Sequence, residues 1–140
     1  MPGDIGKGRS NMSETAQGGT DQPHRVVVVV DDTLGLREVY AGYLEQEGFT
    51  VALAANGVEA MLQIKRLRPS TVVLDLLMPR LDGLSTLEEI KAFDSSIRVV
   101  VVTGAKDPAL REQAIALGAT AFLKKPVKPE ALISAITSAA

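Results

Sequence analysis

The sequence predicts an α/β domain: a parallel five-stranded sheet, doubly wound in the order 2-1-3-4-5, with helices on both faces in a three-layer (βα)5 sandwich. Three observations predict it. Short apolar runs rich in β-branched residues, without polar alternation, recur along the chain; such runs are strands covered on both faces. Between them, apolar residues recur at helical spacing. The two kinds of segment alternate five times, which calls for right-handed crossovers and a parallel sheet. In this strand order the switch point lies between strands 1 and 3, and a ligand should bind above their carboxyl ends.

The first strand is Val26 to Val30, five valines running into Asp31-Asp32-Thr33. Leu36, Val39, Tyr40, Tyr43 and Leu44 then follow the i, i+3, i+4, i+7, i+8 rule of one helix face, and Gly48 supplies a left-handed stop. Phe49 to Leu53 is the second strand. Gly57 to Leu67 is the second helix, with Val58, Met61 and Leu62 expected inward and Pro69 ending it. Thr71 to Leu74 is the third strand and ends on Asp75; Pro79 and Asp82-Gly83 punctuate the loop behind it. Leu84 to Phe93 is a helix facing inward through Leu84, Leu87 and Ile90. Val99 to Val102 is the fourth strand, closing on Thr103-Gly104. Asp107-Pro108 is a cap followed by proline at the first helical position, and Leu110, Ala114 and Leu117 line the fourth helix up to Gly118. Thr120 to Leu123 is a short fifth strand leading to Lys124-Lys125-Pro126. Pro129 opens a last helix with Leu132, Ile133 and Ile136 on one side.

Residues 1–24 are rich in Gly, Ser, Thr, Gln and Asp, with almost no apolar residue to offset ordering entropy, and are expected to be a disordered tail. Its glycines do not form a phosphate loop, because G-x-x-x-x-G-K-[ST] is not matched. The folded domain is expected to run from Arg25 to Ala140.

Composition excludes several chemistries. With no cysteine there is no disulfide, thiolate metal site or Cys nucleophile, and the one histidine, His24, lies in the polar tail, away from any triad or His-rich metal site. A net charge of −2 offers no basic footprint for nucleic acid and no polybasic segment for a membrane surface. The longest apolar run, Val26 to Val30, is far short of a span, and no apolar signal region opens the chain. The expectation is a cytosolic protein with no nucleic-acid or membrane partner.

The strand ends carry the chemistry. Strand 1 presents Asp31 and Asp32, strand 3 Asp75, strand 4 Thr103 and strand 5 Lys125; strand 2, outside the switch point, presents Ala54 and Ala55. Each has a bland reading: a helix cap for the first two, a turn hydroxyl for Thr103, a solvated lysine for Lys125. Together, the bland reading needs five coincidences in one crevice. Carboxylates held this close raise one another's pKa, and a hard divalent cation relieves them. An all-oxygen set without His or Cys suits Mg²⁺. A carboxylate beside Mg²⁺, a hydroxyl and an ammonium is equipped for phosphoryl transfer, with Asp75 as a nucleophile that needs no histidine base.

These residues resemble the receiver domain of bacterial two-component response regulators, the chemotaxis-type single-domain regulators with the flavodoxin-like fold. The resemblance runs from about Arg25 to Ala140. It rests on Asp31-Asp32 after the valine strand and on Asp75-Leu-Leu-Met78-Pro79 with Leu81-Asp82-Gly83. It also rests on Val102-Thr103-Gly104, on Lys125-Pro126 and on the opening of helix 2, Asn56-Gly57-Val58-Glu59-Ala60. It implies that Asp75 is the phosphoacceptor, that Asp32 binds Mg²⁺ directly and Asp31 mainly through water, and that the Leu77 backbone carbonyl is a further ligand. It implies that Lys125 pairs with the phosphoryl group, with Lys124 its surface neighbour. On activation Thr103 moves toward that group and Phe122, three residues before Lys125, turns inward. The change is a population shift read on the face of helix 4, strand 5 and helix 5. The implied partners are a histidine kinase or histidine phosphotransfer protein and an unknown downstream protein. Leu77 and Ala105 stand where the family often has polar side chains that position a water for dephosphorylation, so a long-lived aspartyl phosphate is expected.

Two other readings stay open. A haloacid-dehalogenase type of enzyme also uses a strand-end Asp with Mg²⁺, but wants Asp-x-Asp after strand 1 and a cap domain. A receiver never phosphorylated, acting as a protein-binding module, would have no need of all five site residues. With no output domain before Arg25 and no linker after the last helix, the expectation is a stand-alone receiver that catalyses only its own phosphorylation and dephosphorylation.

Overall fold

A computed structural model of the chain describes residues 25–77, 83–104 and 107–137. The expected tail, the Met78 to Asp82 loop, Ala105 and the last three residues, 138–140, lie outside the described residues. The elements alternate as β1 (Val26–Val30), α1 (Leu34–Gln46), β2 (Thr50–Ala54), α2 (Gly57–Leu67), β3 (Thr71–Asp75), α3 (Gly83–Phe93), β4 (Arg98–Thr103), α4 (Pro108–Ala116), β5 (Ala121–Lys124) and α5 (Pro129–Thr137). All strand pairs are parallel and the order is β2-β1-β3-β4-β5.

The valine runs explain the layers. Side chains of a strand alternate between faces, so Val28 and Val30 of β1, Val72 and Leu74 of β3, and Val99 and Val101 of β4 enter one core. There they meet Ala60 and Ile64 of α2, Leu87 and Ile90 of α3 and Ala114 of α4. Val27, Val29, Val73, Val100 and Val102 enter the other, against Tyr40 and Leu44 of α1 and Leu132 and Ile136 of α5. The middle of a strand buried on both faces takes no charged residue, so β1 and β3 meet their first charged side chains at their carboxyl ends, Asp31 just past β1 and Asp75 as the last residue of β3.

Several turns form as the sequence predicts. Gly48 and Gly118 adopt φ of +90° and +104°, a region glycine enters without a Cβ clash. Asp107 caps α4 through its carboxylate, which accepts from the Ala109 N–H at 3.0 Å, with Pro108 following. At Gly83 a Cβ would lie 2.3 Å from the Leu76 Cα, so only glycine lets α3 start against the backbone that follows Asp75.

Four expectations need correction. β2 is Thr50–Ala54 and β5 is Ala121–Lys124, each one residue later than expected; Phe49 instead lies under the Arg25 guanidinium, which sits 4.8 Å from the ring centroid. Val58 and Leu62 of α2 are each 66% exposed, while Gly57, Ala60 and Ile64 are buried and Met61 is half-buried. The Asn56 side chain accepts from the Glu59 N–H at 2.9 Å, and Glu59 Oε1 reaches back to the Ala55 N–H at 2.8 Å. This reciprocal cap fixes the start of α2, and the face the helix turns to the sheet runs through Gly57, Ala60 and Ile64, leaving Val58 and Leu62 outside. In α1, Val39 is 44% exposed and lies off the apolar stripe.

Candidate functional site

The site forms where β1 and β3 diverge. Asp31 leaves β1 with its N–H donating to the Ala54 carbonyl at 3.1 Å, so the corner is still tied to β2. Asp31 Oδ1 accepts the Thr33 N–H at 2.8 Å, and its backbone carbonyl accepts from Arg37 Nη1 at 2.5 Å. Asp75 is the last residue of β3, in register with Val102 of β4, and its Oδ1 accepts the Leu77 N–H at 3.0 Å. The Lys125 N–H donates to the Thr103 carbonyl at 2.9 Å, which holds the lysine backbone at the end of β4; the Lys125–Pro126 peptide is cis. From there the Lys125 ammonium reaches Asp31 Oδ2 at 3.0 Å and Asp75 Oδ2 at 3.2 Å.

Asp31 and Asp75 are 1% and 4% exposed, and Asp32 beside them is exposed. One carboxylate oxygen from each of the three lies within 4.8 Å of the others. Burial pushes the Asp75 carboxyl above the usual aspartate value. The Leu77 N–H and the Lys125 charge pull against that rise, and the Asp31 charge adds to it. Burial works against the Lys125 ammonium as well, but the two carboxylates outweigh it and hold this lysine above its ordinary value. A small volume with three carboxylate oxygens and one ammonium is a ready cation site, and the ammonium already marks where two of the carboxylates converge. The donors are all hard oxygens, so the set fits Mg²⁺.

The structure therefore brings together Asp31, Asp32, Asp75 and Lys125 as the strand-end reading expects. Thr103 is fully buried at the end of β4, the strand paired with β3. Phe122 lies half-buried in β5 against the core shared by α2, α3 and α4, and Lys124 is exposed. Leu77 contacts Asp75 through its N–H, and its side chain is 55% exposed.

Two residues here escape the sequence reading. Arg37, one turn into α1, reaches back to the Asp31 carbonyl. Tyr40 is buried behind the site; burial raises its phenol pKa, and the charges of Lys125, Asp31 and Asp75 act on it. The one signal for Arg37 was its spacing, six residues past Asp31, on a helix otherwise apolar toward the sheet.

Comparison with known proteins places these features. The family model described as "Response regulator receiver domain" matches residues 27–137. Response regulator MprA of Mycobacterium ulcerans is 36% identical over 108 residues, 77% of this chain and 47% of that protein. The chain spans about half the length of the curated relatives it matches. Among solved structures, a Burkholderia pseudomallei response regulator with a phosphorylated aspartic acid, calcium ion and citrate superposes with TM-score 0.77. It is 27% identical and the match covers 81% of this chain and 67% of that one. The CheX–CheY–BeF3–Mg²⁺ complex of Borrelia burgdorferi superposes with TM-score 0.77 at 28% identity, covering 81% and 87%.

Proposed function

This chain belongs to the response regulator receiver domain family, and on that premise we propose that Asp75 accepts a phosphoryl group from a phosphohistidine of a histidine kinase or histidine phosphotransfer protein. The observation that carries the proposal is the Lys125 ammonium seated between the buried carboxylates of Asp31 and Asp75, with Asp32 within cation-sharing distance. An Asp75 oxygen attacks phosphorus, the phosphorus–nitrogen bond breaks, and its electron pair leaves with the imidazole. The product is an acyl phosphate on Asp75.

Asp31, Asp32 and Asp75, with the Leu77 backbone carbonyl, would hold Mg²⁺. Bound there, the ion supplies positive charge to phosphoryl oxygens during transfer. Lys125 neutralises a second oxygen, and the Thr103 hydroxyl donates to a third as it moves toward the group. Phe122 then turns inward and the α4–β5–α5 face changes for a downstream protein, a shift between two states already in equilibrium. The neighbours solved with a phosphorylated aspartic acid and with BeF3 and Mg²⁺ support this reading. The domain acts as a signalling module rather than an enzyme on a separate substrate, and we assign it to the cytoplasm as a receiver that occupies residues 25–140. No described helix is long and apolar enough to cross a membrane, and a net charge of −2 gives no reason to expect nucleic acid as the partner of this domain.

The test is incubation of the protein with Mg²⁺ and a small acyl phosphate donor. Wild type should gain a base-labile phosphate and Asp75→Asn none. Equal labelling of the two, or none in wild type, ends the proposal.

A further inference from the structure

We propose that Arg37 is a positioning residue for the cation site, acting through the Asp31 backbone carbonyl that its guanidinium holds at 2.5 Å. The inference rests on the reading that Asp31, Asp32 and Asp75 take Mg²⁺.

The β1–α1 corner is built without the usual helix cap. Thr33, at the N-cap of α1, makes no side-chain capping bond, and the first turn carries no acidic residue. The corner depends on Asp31 instead, which is held at four points: its N–H on Ala54, its carbonyl under Arg37, Oδ1 on the Thr33 N–H and Oδ2 on Lys125. The two carboxylate contacts are the ones a cation disturbs, because the same oxygens are its donors and Lys125 is shared with Asp75. The two backbone contacts stay available whatever the carboxylate does. Of these, only the Arg37 bond fixes the peptide that leads from Asp31 into Asp32. Asp32 is exposed, so the direction of its carboxylate follows that peptide. Arg37 also braces the corner from its own backbone, where its N–H donates to the Thr33 carbonyl at 3.0 Å. One residue thus spans the turn that aims two of the three carboxylates.

Charge and position predict opposite signs. A guanidinium beside a cation site repels the cation, so removing it should tighten binding if its field were what mattered. Loss of the carbonyl anchor lets the Asp31–Asp32 peptide rotate and should weaken binding, as loss of a residue that orients a metal ligand does, by about tenfold.

The experiment is calorimetric titration of wild type, Arg37→Met and Arg37→Lys with Mg²⁺, alongside thermal melting in chelator. Arg37→Met should bind about tenfold more weakly than wild type, and Arg37→Lys, which keeps a donor on a shorter reach, should fall between them. Unchanged or tighter binding in Arg37→Met overturns the inference even if that variant melts lower, since a merely structural role would move only the melt. If Arg37→Met does not fold, Arg37→Lys decides alone: binding a few-fold weaker supports the inference and unchanged binding overturns it. If wild type itself binds no Mg²⁺, the metal reading fails and this inference falls with it; wild-type binding with unaltered variants overturns only the inference.

Discussion

The two ends of the sheet use charge in opposite ways. At the amino ends of the strands, cations meet neutral backbone. Arg25 donates to the Glu47 and Gly48 carbonyls where α1 ends, at 2.7 and 3.2 Å, and Arg98 donates to the Ala135 and Ile136 carbonyls in the last turn of α5, at 3.0 and 2.5 Å. Lys91 ties the Ile97 and Ser95 carbonyls after α3, at 2.6 and 3.3 Å. Helix carboxyl ends present unpaired carbonyls with partial negative charge, so each cation finds backbone acceptors where it stands. At the carboxyl ends, charge meets charge: two buried carboxylates share one ammonium with a third carboxylate close by, and burial lifts the Asp75 pKa above its ordinary value. The first arrangement draws its acceptors from the chain itself, with a desolvation cost at Lys91, whose pKa burial lowers. The second is left short of positive charge and can be completed only by something from outside.

The largest expected effect is at Asp75. Asp75→Asn should abolish phosphoryl uptake, yet the metal-free variant should melt higher than wild type. The sign follows from linkage: a carboxyl whose folded pKa is raised binds its proton more tightly folded than unfolded, so its favourable contribution is complete below the unfolded value and is lost as pH rises through the folded one. At neutral pH the ionised group costs stability that asparagine does not. Denaturant titrations of both proteins should diverge from acid to neutral pH, and a variant less stable than wild type at pH 7 would break the contrast between the two ends.

Next is Lys125→Met, which leaves two buried carboxylates facing each other. The loss should be about 3 kcal/mol in chelator, and saturating Mg²⁺ should recover much of it. Thermal melts with and without the ion check this, and a loss that Mg²⁺ leaves untouched would make Lys125 a structural cation like Arg25. Third, Arg98→Met removes two charge-assisted bonds to α5 and should cost about 1–2 kcal/mol with no change in the phosphorylation rate. A slowed rate would mean that the amino end is not purely structural. The smallest is Leu77→Asn, at an exposed side chain, which should leave stability within about 0.5 kcal/mol of wild type and shorten the acyl phosphate lifetime. An unchanged or longer lifetime removes Leu77 from any role in signal duration.

Much of this was legible in the sequence because buried parallel strands tolerate no polar residue inside them. The five valines of β1 and the run ending at Asp75 therefore mark both the sheet and the edge where the acidic cluster sits. What could not be read has physical reasons. Two of the three residues α2 buries, Gly57 and Ala60, carry almost no side chain and so leave little apolar signal, whereas apolar pattern weights Val58 and Leu62 by size. Phe49 looks like the start of a strand, but its ring serves the Arg25 guanidinium, twenty-four residues away in the chain. Arg37 left little beyond its spacing for a different reason: its partner is a backbone oxygen, and every residue has one.

β4 has a consequence of its own. One end of this six-residue strand holds Thr103 in register beside the acidic pocket, and the other end is Arg98, gripping the final turn of α5. At roughly 3.3 Å per residue such a strand is a rod about 20 Å long. Val99 to Val102 between those ends lie alternately in the two cores, so a displacement of the final turn of α5 reaches the strand that carries Thr103 only together with the packing on both faces of the sheet.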